Sequence, residues 1–116
     1  MQVLIIGCGK IGQELALYLV SQEIDVVVID PDESKLEHLK DCDLVRICGV
    51  PIDLDVLEKA GMGTADAVLC VSNSENLNVM AGQMTRNIFE VDQVIVRTFL
   101  TDNSPTSPVQ TDDDKN

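Results

Sequence analysis

The residues best equipped for chemistry lie near the amino terminus, in the run Gly7-Cys8-Gly9-Lys10-Ile11-Gly12. This GxGxxG directly follows an apolar run at residues 3–6 and opens a stretch of helical periodicity. It therefore reads as the turn from a strand into a helix. An acidic residue, Asp30, ends the next apolar run, 18 positions after Gly12. In that context the hexamer is a dinucleotide-binding fingerprint. Gly7 permits the tight turn, Gly9 lets a phosphate approach the main chain, and Gly12 lets the helix lie close on the sheet. The free N–H groups and partial positive charge of the helix start then face the pyrophosphate. Asp30 is placed to accept hydrogen bonds from the adenosine ribose hydroxyls and to repel a 2′-phosphate, which favours NAD or another adenosine nucleotide over NADP. Asp30 with Pro31, and Glu33 three further on, reads equally as a helix N-cap followed by proline at the first helical position.

Other residues fall around this fingerprint. Lys10, between the last two glycines, can contact a phosphate. Cys8 sits at a helix start, where a thiol pKa tends to fall and a redox role is conceivable; the preferred reading is a small residue that fills the loop. At the switch point of such a sheet, Cys70, Val71, Ser72 and Asn73 follow the fourth strand, and Gly49 and Val50 follow the third. Ser72, in capping-box spacing with Glu75, also suits a helix cap. Arg97, a charge late in an apolar run, either faces a phosphate or sits on an exposed edge.

The elements that must hold these residues alternate. Strands are expected at residues 3–6, 25–29, 43–48, 65–71 and 93–98, and helices at 11–21, 31–40, 53–60 and 73–89. Asp53 caps the third helix and Gly61 stops it. The first helix turns Ile11, Leu15, Tyr18 and Leu19 inward, and the last Leu77, Met80, Ala81, Met84 and Ile88. The expected fold is α/β, a Rossmann-like doubly wound parallel sheet in strand order 3-2-1-4-5. Residues 1–100 form the nucleotide-binding domain. Residues 101–116, rich in Pro, Ser, Thr and Asp, read as a disordered acidic tail.

Composition narrows the function further. With 20 acidic and 8 basic residues the 116-residue chain carries a net charge of −12. That argues against binding a nucleic-acid backbone or docking by charge on an anionic membrane. Aromatic residues are 3% and tryptophan is absent, so no base-stacking platform is expected. No apolar run is long enough to insert into a bilayer, and the first residues lack the basic region of a secretory leader. Cys8, Cys42, Cys48 and Cys70 show no CxxC spacing, and His38 is the only histidine. A metal site is not expected; the cysteines read as reduced, buried thiols of a cytosolic protein. Hydride transfer is the weaker alternative, since no acid–base partner is evident and His38 lies in a charged, surface-type helix. No catalytic residue is assigned.

The stretch from Val3 to Gly12 resembles the N-terminal nucleotide-binding domain of Trk/Ktr-type potassium-transport regulators, the TrkA-N, RCK or KTN family. The resemblance continues through Asp25-Val26-Val27-Val28-Ile29-Asp30, Leu57-Glu58-Lys59-Ala60-Gly61 and Ala65-Asp66-Ala67-Val68. Further matches are Ser72-Asn73-Ser74-Glu75-Asn76-Leu77-Asn78 and Val94-Ile95-Val96-Arg97. It implies a cytoplasmic regulatory subunit, peripheral to the membrane through a protein partner. Such a subunit binds NAD(H) or ATP/ADP, gates a membrane potassium transporter and assembles as a homodimer or ring. The family often has a basic residue at the position of Lys10, and a Gly-Asp-Ala-Thr-like turn where this chain has Gly49-Val50-Pro51-Ile52-Asp53. It usually adds a helix and a sixth strand after the fifth; here the polar tail follows. The fifth strand is then a sheet edge, and residues 92–100 are expected to help bury a dimer interface.

Overall fold

The computed structural model describes residues 1–99; the expected tail at 101–116 lies outside the described residues. Five strands alternate with four helices: β1 Gln2–Ile6, α1 Lys10–Ser21, β2 Asp25–Asp30, α2 Glu33–Leu36, β3 Val45–Cys48, α3 Leu54–Lys59, β4 Ala67–Cys70, α4 Glu75–Asn87 and β5 Gln93–Val96. Short 3-10 turns extend α2 over Glu37–Leu39 and precede β4 at Met62–Thr64. All pairings are parallel, and the strand order is β3-β2-β1-β4-β5. This is the Rossmann-like order expected from the alternation.

Strands β1 and β2 are continuous apolar runs because both of their faces are covered. Leu4, Ile6, Val27 and Ile29 point to one side and pack with Leu57, Ala60, Met62 and Ala81. Val3, Ile5, Val26 and Val28 point to the other and pack with Ala16, Leu36 and Leu39. Leu4, Ile5, Ile6, Val28 and Ile29 are fully enclosed. Each such side chain contributes roughly 2 kcal/mol relative to exposure. The register Ile6↔Ile29 and Ile6↔Cys70 brings the ends of β1, β2 and β4 level, and the site is built on that rim.

Several local expectations are corrected. Strands β3, β4 and β5 are shorter than the apolar runs containing them, since only the paired residues lie in the ladder. Helix α2 begins at Glu33; its cap is Asp32, which accepts from Ser34 N at 2.9 Å, so Asp30 is not the cap and Pro31 is not in the helix. The α4 cap is Ser74, accepting from Leu77 N at 3.2 Å, rather than Ser72. The buried stripe of α4 is Asn78, Ala81, Gly82 and Thr85, while Met80 and Ile88 are exposed. A β-carbon on Gly82 would stand 2.5 Å from Val96 Cγ2, so the close approach of α4 to β5 selects small residues over the more hydropathic ones. Gly12 and Ala16 play the same part in α1, with Ile11 and Tyr18 left outside. Cap and stop on α3 are as expected: Asp53 accepts from Asp55 N at 2.9 Å, and Gly61 adopts φ +84°.

Candidate functional site

The turn after β1 is fixed by main-chain contacts that leave little choice of residue. Gly7 adopts φ +109°, and a β-carbon there would stand 2.6 Å from the Cα and N of Ser72. Gly7 N donates to Ile29 O at 2.9 Å. A β-carbon on Gly12 would overlap the carbonyl oxygen of Gly7, so this glycine sets how closely α1 lies on the turn. Gly9 is different. Its backbone is extended, with φ −79° and ψ −161°. A β-carbon there would meet nothing closer than the Asn73 side chain, at an ordinary 3.6 Å. Neither strain nor crowding within the chain requires glycine at position 9. The space above it is what a side chain would fill.

Helix α1 starts over that space. It has no side-chain cap and no acid in its first turn. By contrast α2, α3 and α4 are capped by Asp32, Asp53 and Ser74, each with an acid in the first turn. Lys10 and Ile11 open the helix and are exposed. Gln13 Nε2 braces the loop by donating to Cys8 O at 2.9 Å, a role the sequence did not reveal.

Asp30 is 5% exposed at the end of β2. Its Oδ2 accepts from Cys8 N at 2.7 Å and its Oδ1 from Asp32 N at 2.8 Å. Each oxygen keeps a further lone pair. Gly49 N donates to Asp30 O at 3.1 Å, which brings the end of β3 to the same rim. Cys48 Sγ donates to Pro31 O at 3.4 Å. Val50 is half exposed beyond it.

Cys8 fills the loop and Cys70 is buried, as expected, while the thiol pKa at the helix start and the burial of the other two cysteines depart from expectation. Cys8 is fully enclosed and donates to Lys35 O at 3.4 Å. Burial first, then the neighbouring Asp30 charge, pushes its thiol up to about 11. The helix-start effect that would lower it is outweighed. Burial alone pushes Cys70 up to about 12. Cys48 is exposed and Cys42 only partly covered, so the four thiols are not uniformly buried; all four are free.

On the β4 side the centre is Ser72, beside the buried Val71 and the exposed Asn73. Ser72 N and Oγ donate to Asn78 Oδ1 at 2.8 and 2.7 Å, and Ser72 O accepts from Asn78 Nδ2 at 3.1 Å. Arg97 lies one residue beyond β5, with its N donating to Cys70 O at 2.9 Å and its Nη1 to Ser72 O at 3.2 Å. Its guanidinium stacks on Phe99, 4.5 Å from the ring centroid. Thus Arg97 is at the rim, not simply on an open edge. Neither Lys10 nor Arg97 has a carboxylate partner among the described residues, whose one ion pair is Lys40–Glu37. Asn78 is a second residue missed as part of the site, although it stands inside the Ser72–Asn78 stretch. Its signal was a polar residue three positions before Ala81 on one helix face.

The arrangement leaves space over Gly9 against the free N–H groups of the α1 start, with Lys10 opening that helix and a carboxylate at the adjoining strand end. An adenosine diphosphate group fits that donor set.

A model of the TrkA-N domain family matches residues 3–106. The Trk system potassium uptake protein TrkA of Streptomyces coelicolor is 35% identical over 100 residues, covering 85% of this chain and 45% of that protein. A TrkA homolog from Archaeoglobus fulgidus is 33% identical over 97 residues, covering 84% of this chain and 22% of the relative. The chain thus spans under half the length of these relatives. Among solved structures, a Shewanella denitrificans Kef C-terminal domain in AMP-bound form superposes with a TM-score of 0.68 at 19% identity, covering 81% of this chain and 57% of that one. The TrkA-N domain of the Escherichia coli inner membrane protein ybaL does so with a TM-score of 0.66 at 15% identity, covering 82% and 86%. At these identities the two structures speak for the fold alone.

Proposed function

The chain belongs to the TrkA-N domain family, and we propose that it is a regulatory subunit that binds NAD(H) or ATP/ADP and gates a membrane potassium transporter. Gly9 carries the nucleotide part of this reading: it is a glycine that the fold itself does not need, at the mouth of an uncapped helix. In the proposed complex the diphosphate lies over Gly9 against the first N–H groups of α1, framed by Gly7, Cys8, Ile11 and Gly12. Lys10 and Arg97 neutralise its charge. The adenosine ribose bonds to the spare lone pairs of Asp30, which disfavours NADP. Pro31, Gly49 and Val50 border the adenosine, while Cys70, Val71, Ser72 and Asn73 border the other half of the ligand.

The names of the relatives support potassium uptake as the process. A regulator acts by binding nucleotide better in one assembly state than in another, which shifts the population. Strand β5, which is paired on one side among the described residues and has Ile95 61% exposed, supports assembly as a homodimer or ring. No helix among the described residues is long and apolar enough to cross a membrane. In the proposed role the subunit is cytoplasmic and reaches the membrane through its transporter partner. A regulatory role is preferred to hydride transfer because the groups at the rim are Asp30, held by two main-chain N–H groups, a buried thiol and two cations. None is arranged as an acid–base pair.

The test is calorimetric titration of the chain with NADH, NAD, ATP, ADP and NADPH, repeated on Gly9→Val. Micromolar-range binding of at least one of the first four, weaker NADPH binding, and loss of binding in Gly9→Val are expected. No heat with any of them would refute the nucleotide reading.

A further inference from the structure

The loop after β4 is held in an unusual way. One buried side chain, Asn78, engages every polar group of Ser72: Oδ1 accepts from Ser72 N and Ser72 Oγ, and Nδ2 donates to Ser72 O. The remaining Nδ2 hydrogen goes to Arg97 O at 3.0 Å. Two acceptances and two donations exhaust what a carboxamide can do. Aspartate would lose both donations, and an apolar residue all four bonds. On its other side Ser72 lies against the turn after β1, since its Cα and N stand 2.6 Å from where a β-carbon of Gly7 would be. A continuous chain of contacts therefore runs from Gly7 through Ser72 and Asn78 to the main chain at the end of β5. That strand is the sheet edge, paired on one side among the described residues, with two of its four residues exposed. Strands so placed open locally at low cost.

We propose that Asn78 is a positioning residue that couples occupancy of the Gly7–Ser72 cradle to the order of strand β5 at the sheet edge. The proposal rests on the nucleotide reading above and adds the route by which binding reaches a surface. A nucleotide that immobilises the turn at Gly7 removes freedom from Ser72. Asn78 passes that restraint to Arg97 O, and the last pairing of β5 opens less often. Any partner that pairs with or packs on this edge then meets a more ordered strand.

Hydrogen exchange on the full chain, with and without saturating ADP or NADH, tests this. In the wild type nucleotide slows exchange at residues 7–12 and also, by about tenfold, at residues 93–97; such a factor lies at the low end of ordinary coupling between sites. In Asn78→Ala at saturating nucleotide, slowing persists at 7–12 and falls at 93–97 from about tenfold to no more than about twofold, the part left to the direct bonds of Arg97 Nη1 with Ser72 O and of Arg97 N with Cys70 O. In Ser72→Ala, which removes one of the four bonds and keeps the three to main chain, slowing at 93–97 persists. A merely structural Asn78 would raise exchange equally with and without ligand, leaving the nucleotide-dependent ratio at 93–97 unchanged; that result overturns the proposal. Should Asn78→Ala not fold, the wild type decides: protection confined to 7–12 also overturns it. Absence of any heat or protection with either nucleotide refutes the nucleotide reading itself, an outcome distinct from binding that fails to reach β5.

Discussion

Three glycines of one hexamer are expected to respond in two different ways to the same substitution. Alanine at Gly9 meets an extended backbone at φ −79° and no atom nearer than 3.6 Å. Removing a glycine at a compatible site lowers the entropy of the unfolded chain and stabilises by about 0.4–1 kcal/mol. Gly9 is also the N-cap of α1, where alanine is less favourable than glycine by a similar amount, so the two effects offset and the melting temperature of Gly9→Ala should stay within about 4 °C of wild type. Alanine at Gly12 meets the carbonyl oxygen of Gly7, and α1 must lift from the turn. Alanine at Gly7 combines φ +109° with the Ser72 main chain at 2.6 Å. Overpacking against main chain costs on the order of 3 kcal/mol, a drop of roughly 10–20 °C. Ligand binding reverses the ranking. A methyl group over position 9 displaces the diphosphate from at least two N–H donors. At about 1.5 kcal/mol for each bond to a charged group, the Kd rises about 100-fold. Thermal melts and calorimetry on Gly7→Ala, Gly9→Ala and Gly12→Ala, with whichever nucleotide the wild type binds, measure both quantities. A Gly9→Ala protein that binds nucleotide as tightly as wild type, or melts as low as Gly12→Ala, would refute the reasoning.

Asp30→Asn replaces one acceptor with an NH2 group facing either Cys8 N or Asp32 N; a loss of about 2 kcal/mol, seen as a melting point lower by roughly 10 °C, is expected. The same variant should narrow the difference in calorimetric affinity between NADH and NADPH, because the repulsion of a 2′-phosphate is removed. The buried thiols predict alkaline instability: Cys8 and Cys70 stay protonated in the folded state to about 11 and 12, whereas unfolded thiols ionise near 9. Above that lower value the unfolded state binds fewer protons, so stability is full below pH 9 and falls as pH rises. The slope from Cys70 approaches about 1.4 kcal/mol per pH unit. Denaturation at pH 8 to 11 on wild type and Cys70→Ala measures it, the variant showing the shallower decline. Ile95→Lys, at a 61% exposed position on the edge strand, should shift a sedimentation profile from dimer or ring to monomer without lowering the melting temperature of the monomer; an unchanged assembly would remove β5 from the interface.

The sheet order and the turn were legible because both rest on periodicity and on glycines with a single steric purpose. Continuous runs such as Leu4-Ile5-Ile6 have no other stable use in a chain of alternating elements. Hydropathy, however, misjudged the helix faces. It turned Met80 and Ile88 inward, where the fold buries Asn78, Gly82 and Thr85. Close helix–sheet contact is limited by volume, and Thr85 satisfies its hydroxyl within the helix by donating to Ala81 O at 2.7 Å. Caps were misplaced by two residues at both Asp30 and Ser72. In each case a polar residue with a competing job at the strand end left the cap to the residue two further on: Asp30 holds the main chain of the turn, and the Ser72 hydroxyl is engaged by Asn78 Oδ1 and Ser74 N. The Cys8 pKa was illegible because its sign depends on enclosure, which residue type and helix position do not report.

The chain's charge sharpens the question of how an anion is held at all. With −12 overall, the distant field opposes a diphosphate. At physiological ionic strength the screening length is about 8 Å, so most of those carboxylates act only weakly at the cradle. What remains is local. The first turn of α1 presents N–H groups with no acid beside them, and Lys10 and Arg97 carry charge that no carboxylate among the described residues neutralises. Asp30, at the adjoining strand end, has each oxygen turned onto a main-chain N–H, which disperses its charge into the turn. The start of α1 thus has no acid in its first turn, whereas the other helix starts, each with its own acid, offer no competing site of the same kind. In the proposed complex the local groups at the α1 start hold the anion against the net charge, which disfavours anions at the acid-bearing helix starts. The net charge and the proposed ligand are then parts of the same specificity.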